Sequence, residues 1–254
     1  MGGLGHYLEG AGVATTSISL VREQTERIKP PRALWVPFEL GRPFGPPNDP
    51  DFQRDVLRAA LGLLARPEGP VLADYPHEAP AGTADEAPWA CALPLPPQPP
   101  PDTEAEALRA QLLAEAALLH PWYDEAGRRT GRTSVGVSGL GASDLVAMVE
   151  PLLALATGGA PAAPAGTDLP DMPVGLRYLT DDLKAFYFEA AAAQPGPRPS
   201  SHNLSDWLFG ETVLGDVLYR ARDILAARED QGSRRTAGVL VPGAYRERPA
   251  AVRG

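Results

Sequence analysis

The chain has 254 residues, 23 of them basic and 32 acidic, for a formal net charge of −9. Nucleic-acid binding needs a basic face, and the only basic clusters are the short groups Arg128, Arg129, Arg132 and Arg234, Arg235. A single cysteine, Cys91, excludes an intramolecular disulfide and any multi-cysteine metal site.

A chain of this length is expected to bury a sizeable core, and 44% of its residues are hydrophobic. The 29 prolines and 26 glycines are clustered, which implies ordered blocks separated by stiff linkers. No apolar run approaches the ~20 residues that span a bilayer. The N-terminal MGGLGHYLEG lacks the basic and apolar regions of a signal peptide. These features predict a cytoplasmic protein without membrane or nucleic-acid partners.

In chain order, Gly5–Gly12 reads as the end of a helix with Gly12 as its stop, and Val13–Val21 as a β-branched strand. A helix with so glycine-rich a front is a poor way to open a domain, so it reads either as a frayed N-terminus or as the continuation of an upstream strand and loop. Arg22–Lys29 reads as a helical turn or two, and Ala33–Val36 as a short buried strand feeding a Pro37–Pro47 loop. Asp49 as N-cap and Pro50 at N1 open a helix to about Ala65. Its expected apolar face is Phe52, Val56, Ala59, Ala60, Leu63 and Leu64. Pro67–Glu78 leads out through a short VLADY piece, residues 79–86 form an acidic linker, and Pro88–Leu95 reads as an edge strand before a polyproline-like connector.

Thr103–Glu106 reads as a capping box opening a helix through Leu119, which Pro121 either kinks or restarts. Thr133–Val137 reads as a strand, Ser138–Ser143 as a turn, and Asp144–Ala156 as a helix stopped by Gly158-Gly159. Leu176–Gln194 has helical spacing at Leu179, Leu183, Phe186, Tyr187 and Ala190. Ser200 and Ser201 cap one long helix to about Arg228, Gly238–Pro242 reads as a final strand, and the last residues as disordered. The predicted organisation is a 1–78 α/β portion, a 79–102 Pro-rich linker, a 103–230 α-rich portion with one strand, and a 231–254 tail.

Chemistry-bearing constellations are few. His6, His77, His120 and His202 lack metal-ligand spacing, so neither a metal nor a cofactor is expected. Ser138–Ser143 (SGLGAS) holds a partial G-x-G, but Asp144 stands at the third glycine position, so a structural turn is favoured over a phosphate loop. Cys91 lacks basic neighbours and reads as a buried small residue. Phe186, Tyr187, Phe188 and Trp207 read as core, with Glu189 and Glu211 as solvated or salt-bridged carboxylates beside them.

Pro30–Asn48 (PPRALWVPFELGRPFGPPN) is different. Proline and glycine frame Arg32, Glu39, Arg42 and Asn48, as in a loop that holds one shape while presenting charge. An arginine pair can take a carboxylate bidentately; the alternative is a rigid crossover with surface charges.

From Tyr7 to Leu64 the sequence resembles the C-terminal part of the selenoprotein B family of glycine, betaine and sarcosine reductases and the related D-proline reductase subunit. The residues that carry the resemblance are LEGAGVATTSIS, then Pro31-Arg32, Pro37, Gly41, Gly45, Pro47 and Asn48, then the FQRDVLRAALGLL helix. It covers about a quarter of the chain. It implies a Rossmann-like αβ front, N-terminally truncated, followed by a mostly α-helical portion. It also implies reductive cleavage of a C–N bond by a cysteine or selenocysteine that a disulfide-type couple regenerates. The family's nucleophile lies before the first helix, and no Cys or Sec stands there in this chain, so no catalytic residue carries over. A start codon placed downstream of a UGA or Cys codon is one expectation, and a non-catalytic binding or partner subunit is the other. Under the resemblance Arg32, Glu39, Gly41, Arg42, Gly45 and Asn48 would line a site for a small amino-acid-like substrate, with a redox protein as partner.

Overall fold

Three short strands, Ser17–Ser19 (β1), Arg32–Trp35 (β2) and Val71–Asp74 (β3), form a parallel sheet in the order β1-β2-β3. Ser17 pairs with Ala33, and Arg32 with Val71. The structure is a computed structural model that describes residues 2–79, 89–100 and 103–248. It is mixed α/β and divides into two units, Met1–Glu86 and Ala87–Gly254.

In the first unit, helices Gly2–Gly10 (α1), Arg22–Ile28 (α2) and Pro50–Gly62 (α3) accompany the sheet. The central strand β2 is the most buried, because it alone has a neighbour on each side. Leu34, Val36 and Phe38 continue its apolar run into a core with Val56, Ala60 and Tyr75. Phe38, Phe52 and Tyr75 stack tilted or edge-on at 5.5–6.0 Å, the spacing at which ring quadrupoles attract. The Tyr75 hydroxyl donates to Asp55 at 2.7 Å, and burial pushes its pKa up to about 12.

Asp49 accepts from the Phe52 N–H at 3.1 Å, and Pro50 occupies the first turn, as the sequence predicts. The predicted apolar face of α3 packs on the first unit's core through Val56 and Ala60, with Phe52, Ala59 and Leu63 against it; only Leu64 departs from expectation, being exposed along with Leu57 and Leu61. The predicted strand Val13–Val21 shrinks to three residues. Thr15 is instead drawn to Glu9, which accepts from both its N–H and its hydroxyl.

The second unit is built of helices Ala105–Thr130 (α4), Leu145–Ala156 (α5), Val174–Ala192 (α6), Ser201–Glu211 (α7), Val213–Ala226 (α8) and Gln231–Leu240 (α9). Leu108, Leu112 and Leu119 of α4 meet Leu176, Leu179, Leu183 and Phe186 of α6 in one continuous core with α5 and α8. Several expectations are corrected here. Helix α4 does not stop at Leu119 but runs through Pro121 to Thr130 as one helix. The N-cap of α4 is Glu104, without a side-chain cap bond, so the predicted capping box is not formed.

Residues 89–95 form no strand. Prolines 94 and 96 cannot donate to a ladder, and Trp89, Cys91, Leu93 and Leu95 pack instead against the second unit's core. Much of the predicted linker therefore belongs to this unit, while residues 80–88 and 101–102 lie outside the described residues. The predicted helix over 201–228 is two helices. Thr212 leaves helical geometry, donates to Leu208 O at 2.7 Å and caps α8 by accepting from Gly215 N–H at 3.0 Å. Ser200 does cap α7, reciprocally with Asn203. Gly238–Leu240 is the last turn of α9, not a strand. Asp230 caps that helix, and Thr236, Ala237 and Leu240 turn inward, so the predicted tail begins as a packed helix, while residues 249–254, where disorder is expected, lie outside the described residues.

Among the described residues no helix is long and apolar enough to cross a membrane.

Candidate functional site

The glycine-rich α1 and the twin-faced α3 leave apolar surface that their own unit does not cover. Between them opens a cleft of about 460 Å³. Leu4 and Leu8 of α1, Phe44 of the long loop, and Leu57 and Leu61 of α3 supply its apolar walls. Both ends of the Pro30–Asn48 stretch reach it, through Pro30, Pro31 and Arg32 and through Pro43 and Phe44. Among the described residues Arg32 is its only charged lining residue.

Arg32 is 5% exposed and held from several directions. Its Nη1 donates to Glu9 Oε1 at 2.6 Å and to Thr15 O at 3.4 Å, and its Nε to Arg66 O at 2.8 Å. The described residues offer Nη2 no acceptor. Glu9 is the partner that sequence reading missed, because nothing local to residue 9 marks it. The Thr15 N–H, with help from the Thr15 hydroxyl and Arg32, holds the Glu9 carboxyl below the usual carboxylate range. A depressed carboxyl contributes stability above its unfolded pKa of about 4.3 and loses it as pH falls through the lower folded value. The urea midpoint of the first unit should therefore drop in Glu9→Gln near pH 7, where the contribution is complete, and the gap to the unaltered protein should close as pH falls through the folded Glu9 value. Circular dichroism of urea unfolding across an acid titration reads this.

The remaining predicted site residues do not line the cleft. Glu39 and Arg42 pair at 3.5 Å with both side chains half exposed, a geometry that holds a turn weakly. The loop is shaped by its backbone. Arg42 N–H donates to Glu39 O and Gly45 N–H to Arg42 O, both at 3.0 Å, and Gln53 Nε2 donates to Pro46 O at 2.8 Å. Gly41, Gly45 and Asn48 adopt φ of +91°, +79° and +63°. Gly45 is required twice over: its φ is left-handed, and the Phe52 ring stands where a Cβ would be. Structure thus joins Arg32 to the cleft and leaves Arg42 on the outer loop, so the two do not form one clamp.

Elsewhere, Cys91 is half-buried, and burial pushes its thiol up despite the 3.6 Å contact with Gln194 Oε1, a poor setting for a nucleophile. The loop that leads into the SGLGAS turn is clamped by the protein's own carboxylate. Asp182 accepts from the N–H groups of Gly136, Val137 and Ser138 at 2.7–2.9 Å and from the Ser138 hydroxyl at 2.5 Å. The predicted strand at 133–137 is therefore a clamped loop, its donors satisfied by a side chain in place of a ladder. Glu189 serves the same loop through Thr133 and Ser134. Burial raises the Glu211 carboxyl. Among the described residues no group of three or more His, Cys, Asp or Glu is placed to hold a metal ion.

Comparison with protein-family models, with curated proteins and with solved structures returned no match.

Proposed function

We propose that the chain is a selenoprotein-B-like component of an amino-acid reductase, and that its first unit is a Rossmann-like lobe that binds the substrate. The observation that carries this reading is that Leu8, Pro31, Arg32, Leu57 and Leu61, all within the resembling stretch, line one cleft, and that Arg32, the one charged lining group among the described residues, has an Nη2 to which those residues offer no acceptor. The substrate's carbon skeleton would pack on Leu57, Leu61 and Phe44, and its carboxylate would accept from Arg32 Nη2. Glu9, by holding Nη1, orients the guanidinium for that role. Gly41, Gly45 and Asn48 shape the loop, and the Glu39–Arg42 pair steadies its outer turn.

In the reductive chemistry of the resemblance, a thiolate or selenolate takes the substrate carbon, the C–N bond breaks with the amine as leaving group, and a dithiol partner supplies the two electrons as it becomes a disulfide. Cys91, the one cysteine, belongs to the second unit and is not activated, so this chain's part is to bind and orient. The chalcogen would come from elsewhere.

Calorimetric titration of the chain with glycine, sarcosine, betaine and D-proline tests the proposal. At least one should bind saturably, and Arg32→Ala should weaken it about tenfold or more, the scale of a lost charge-assisted bond. Leu57→Gln, at an exposed position, should weaken it without touching Arg32. Arg42→Ala should change little. Absence of saturable binding of all four below about 10 mM sinks the reading, since that is weaker than a working site needs. Binding that depends on Arg42 and not on Arg32 would move the carboxylate site to the outer loop.

A further inference from the structure

The second unit holds a cleft of a different character, of about 640 Å³, where α4 and α6 end. Three arginines line it, Arg129, Arg132 and Arg198, against one carboxylate, Glu189. In a chain of net charge −9, such a local excess of positive charge runs against the overall field. Two of these charges have structural employment. Arg129 pairs with Glu125 at 2.6 Å and donates to Ala193 O at 2.9 Å, just past the end of α6, where carbonyls are unsatisfied. Glu189 is committed to the Thr133 hydroxyl at 2.8 Å and the Ser134 N–H at 2.5 Å. Arg132 and Arg198 have no such employment. Both are exposed, and neither forms an ion pair among the described residues.

Their placement is fixed even so. Arg132 follows Gly131, whose left-handed backbone closes α4, and sits in the loop that Asp182 and Glu189 clamp. Arg198 lies in the Pro-rich connection immediately before the Ser200 cap of α7. Anchored backbones place both arginines at one cleft, where its single carboxylate, Glu189, is already engaged and neither arginine forms an ion pair among the described residues. We infer that this cleft binds a small molecule through a doubly charged oxyanion group, a phosphate ester or a dicarboxylate, held by Arg132 and Arg198. Guanidinium forks suit such groups because their N–H pairs match two oxygens at once. The cleft belongs wholly to the second unit, so the inference stands apart from the reading of the first.

Calorimetric titration of the full chain at low ionic strength, with inorganic phosphate in one arm and succinate in the other, tests it. At least one anion should bind saturably. Each of Arg132→Gln and Arg198→Gln should weaken binding several-fold, and the double variant by about tenfold or more, on the scale of paired charge-assisted bonds. Arg58→Gln, exposed on α3, should leave affinity unchanged. In ¹H–¹⁵N spectra of the unaltered protein the perturbed amides should centre on residues 129–134 and 198, a readout that requires no variant. Saturation by phosphate alone assigns the ligand to phosphate esters, and by succinate alone to dicarboxylates. Saturation by neither anion, retained affinity in the double variant, or perturbations centred elsewhere would overturn the inference.

Discussion

Glu115→Ala is expected to cost the second unit about 3–5 kcal/mol in urea or thermal unfolding, enough to unfold a marginal domain. Glu115 lies on α4 with no exposure, and its carboxylate accepts from three donors: the Tyr187 hydroxyl at 2.8 Å, Val213 N–H at 2.8 Å and Leu214 N–H at 3.1 Å. The last two are orphan donors of the first turn of α8, so one side chain ties α4, α6 and the start of α8 together. Alanine leaves all three donors buried and unpaired and opens a cavity beside them. Burial pushes the Glu115 pKa up to about 7, against the lowering pull of Val213, Tyr187 and Leu214. Because the folded value exceeds the unfolded one, the native state holds the extra proton between about pH 4.5 and 7, and stability falls as pH rises through that window. Glu115→Gln cannot titrate. Its amide oxygen still accepts two bonds, but its amino group faces the third donor, so the cost should be about 1–3 kcal/mol. The gap between wild type and Glu115→Gln should narrow as pH rises from 5 to 7. A constant gap would mean that the carboxyl does not titrate there.

What the sequence made legible is what local chemistry decides. Asp49-Pro50 and Ser200 announce helix starts because a cap bonds within three residues of itself. The α6 stripe is legible because Leu179, Leu183, Phe186, Tyr187 and Ala190 recur at the helical period and face the core. The misread segments are those where a distant group outbids local propensity. Thr133–Val137 has strand composition, but the carboxylate that satisfies its N–H groups lies about 45 residues on, at Asp182. Gly238–Leu240 reads as β-branched and short, yet the cap at Asp230 and the core beneath Ala237 carry the helix through it. The α7–α8 break was within reach, since Thr212 stands before an apolar run, but its reinforcement by Glu115 spans 98 residues and leaves no local trace. In the candidate site the same division holds. The rigid loop was legible from proline and glycine, whereas the partnership of Arg32 with Glu9 depends on how α1 folds back toward β2.

The second large effect is expected at Asp182. Asp182→Ala should destabilise the second unit by about 2–4 kcal/mol and speed amide exchange at residues 136–138. The carboxylate is fully buried on α6 and accepts from three consecutive N–H groups and one hydroxyl. Three converging N–H groups are the arrangement that elsewhere receives a bound anion, and here the anion is covalently part of the fold. Removing it orphans the three N–H groups of residues 136–138 and the Ser138 hydroxyl at once. Gly136 at φ +133° and Gly139 at φ +81° make that loop costly to order without its clamp. Asp182→Asn keeps one acceptor oxygen but turns an amino group toward the other donors, so its loss should be intermediate. Glu189 offers the contrast that separates clamp from decoration. It serves Thr133 and Ser134 at exposed positions, where water can replace it, so Glu189→Ala should cost less than about 1 kcal/mol. Hydrogen exchange resolved to single amides distinguishes the two: protection should vanish at 136–138 in Asp182→Ala and persist there in Glu189→Ala. Equal losses in the two variants would mean that the loop is held by its own backbone and not by the buried carboxylate.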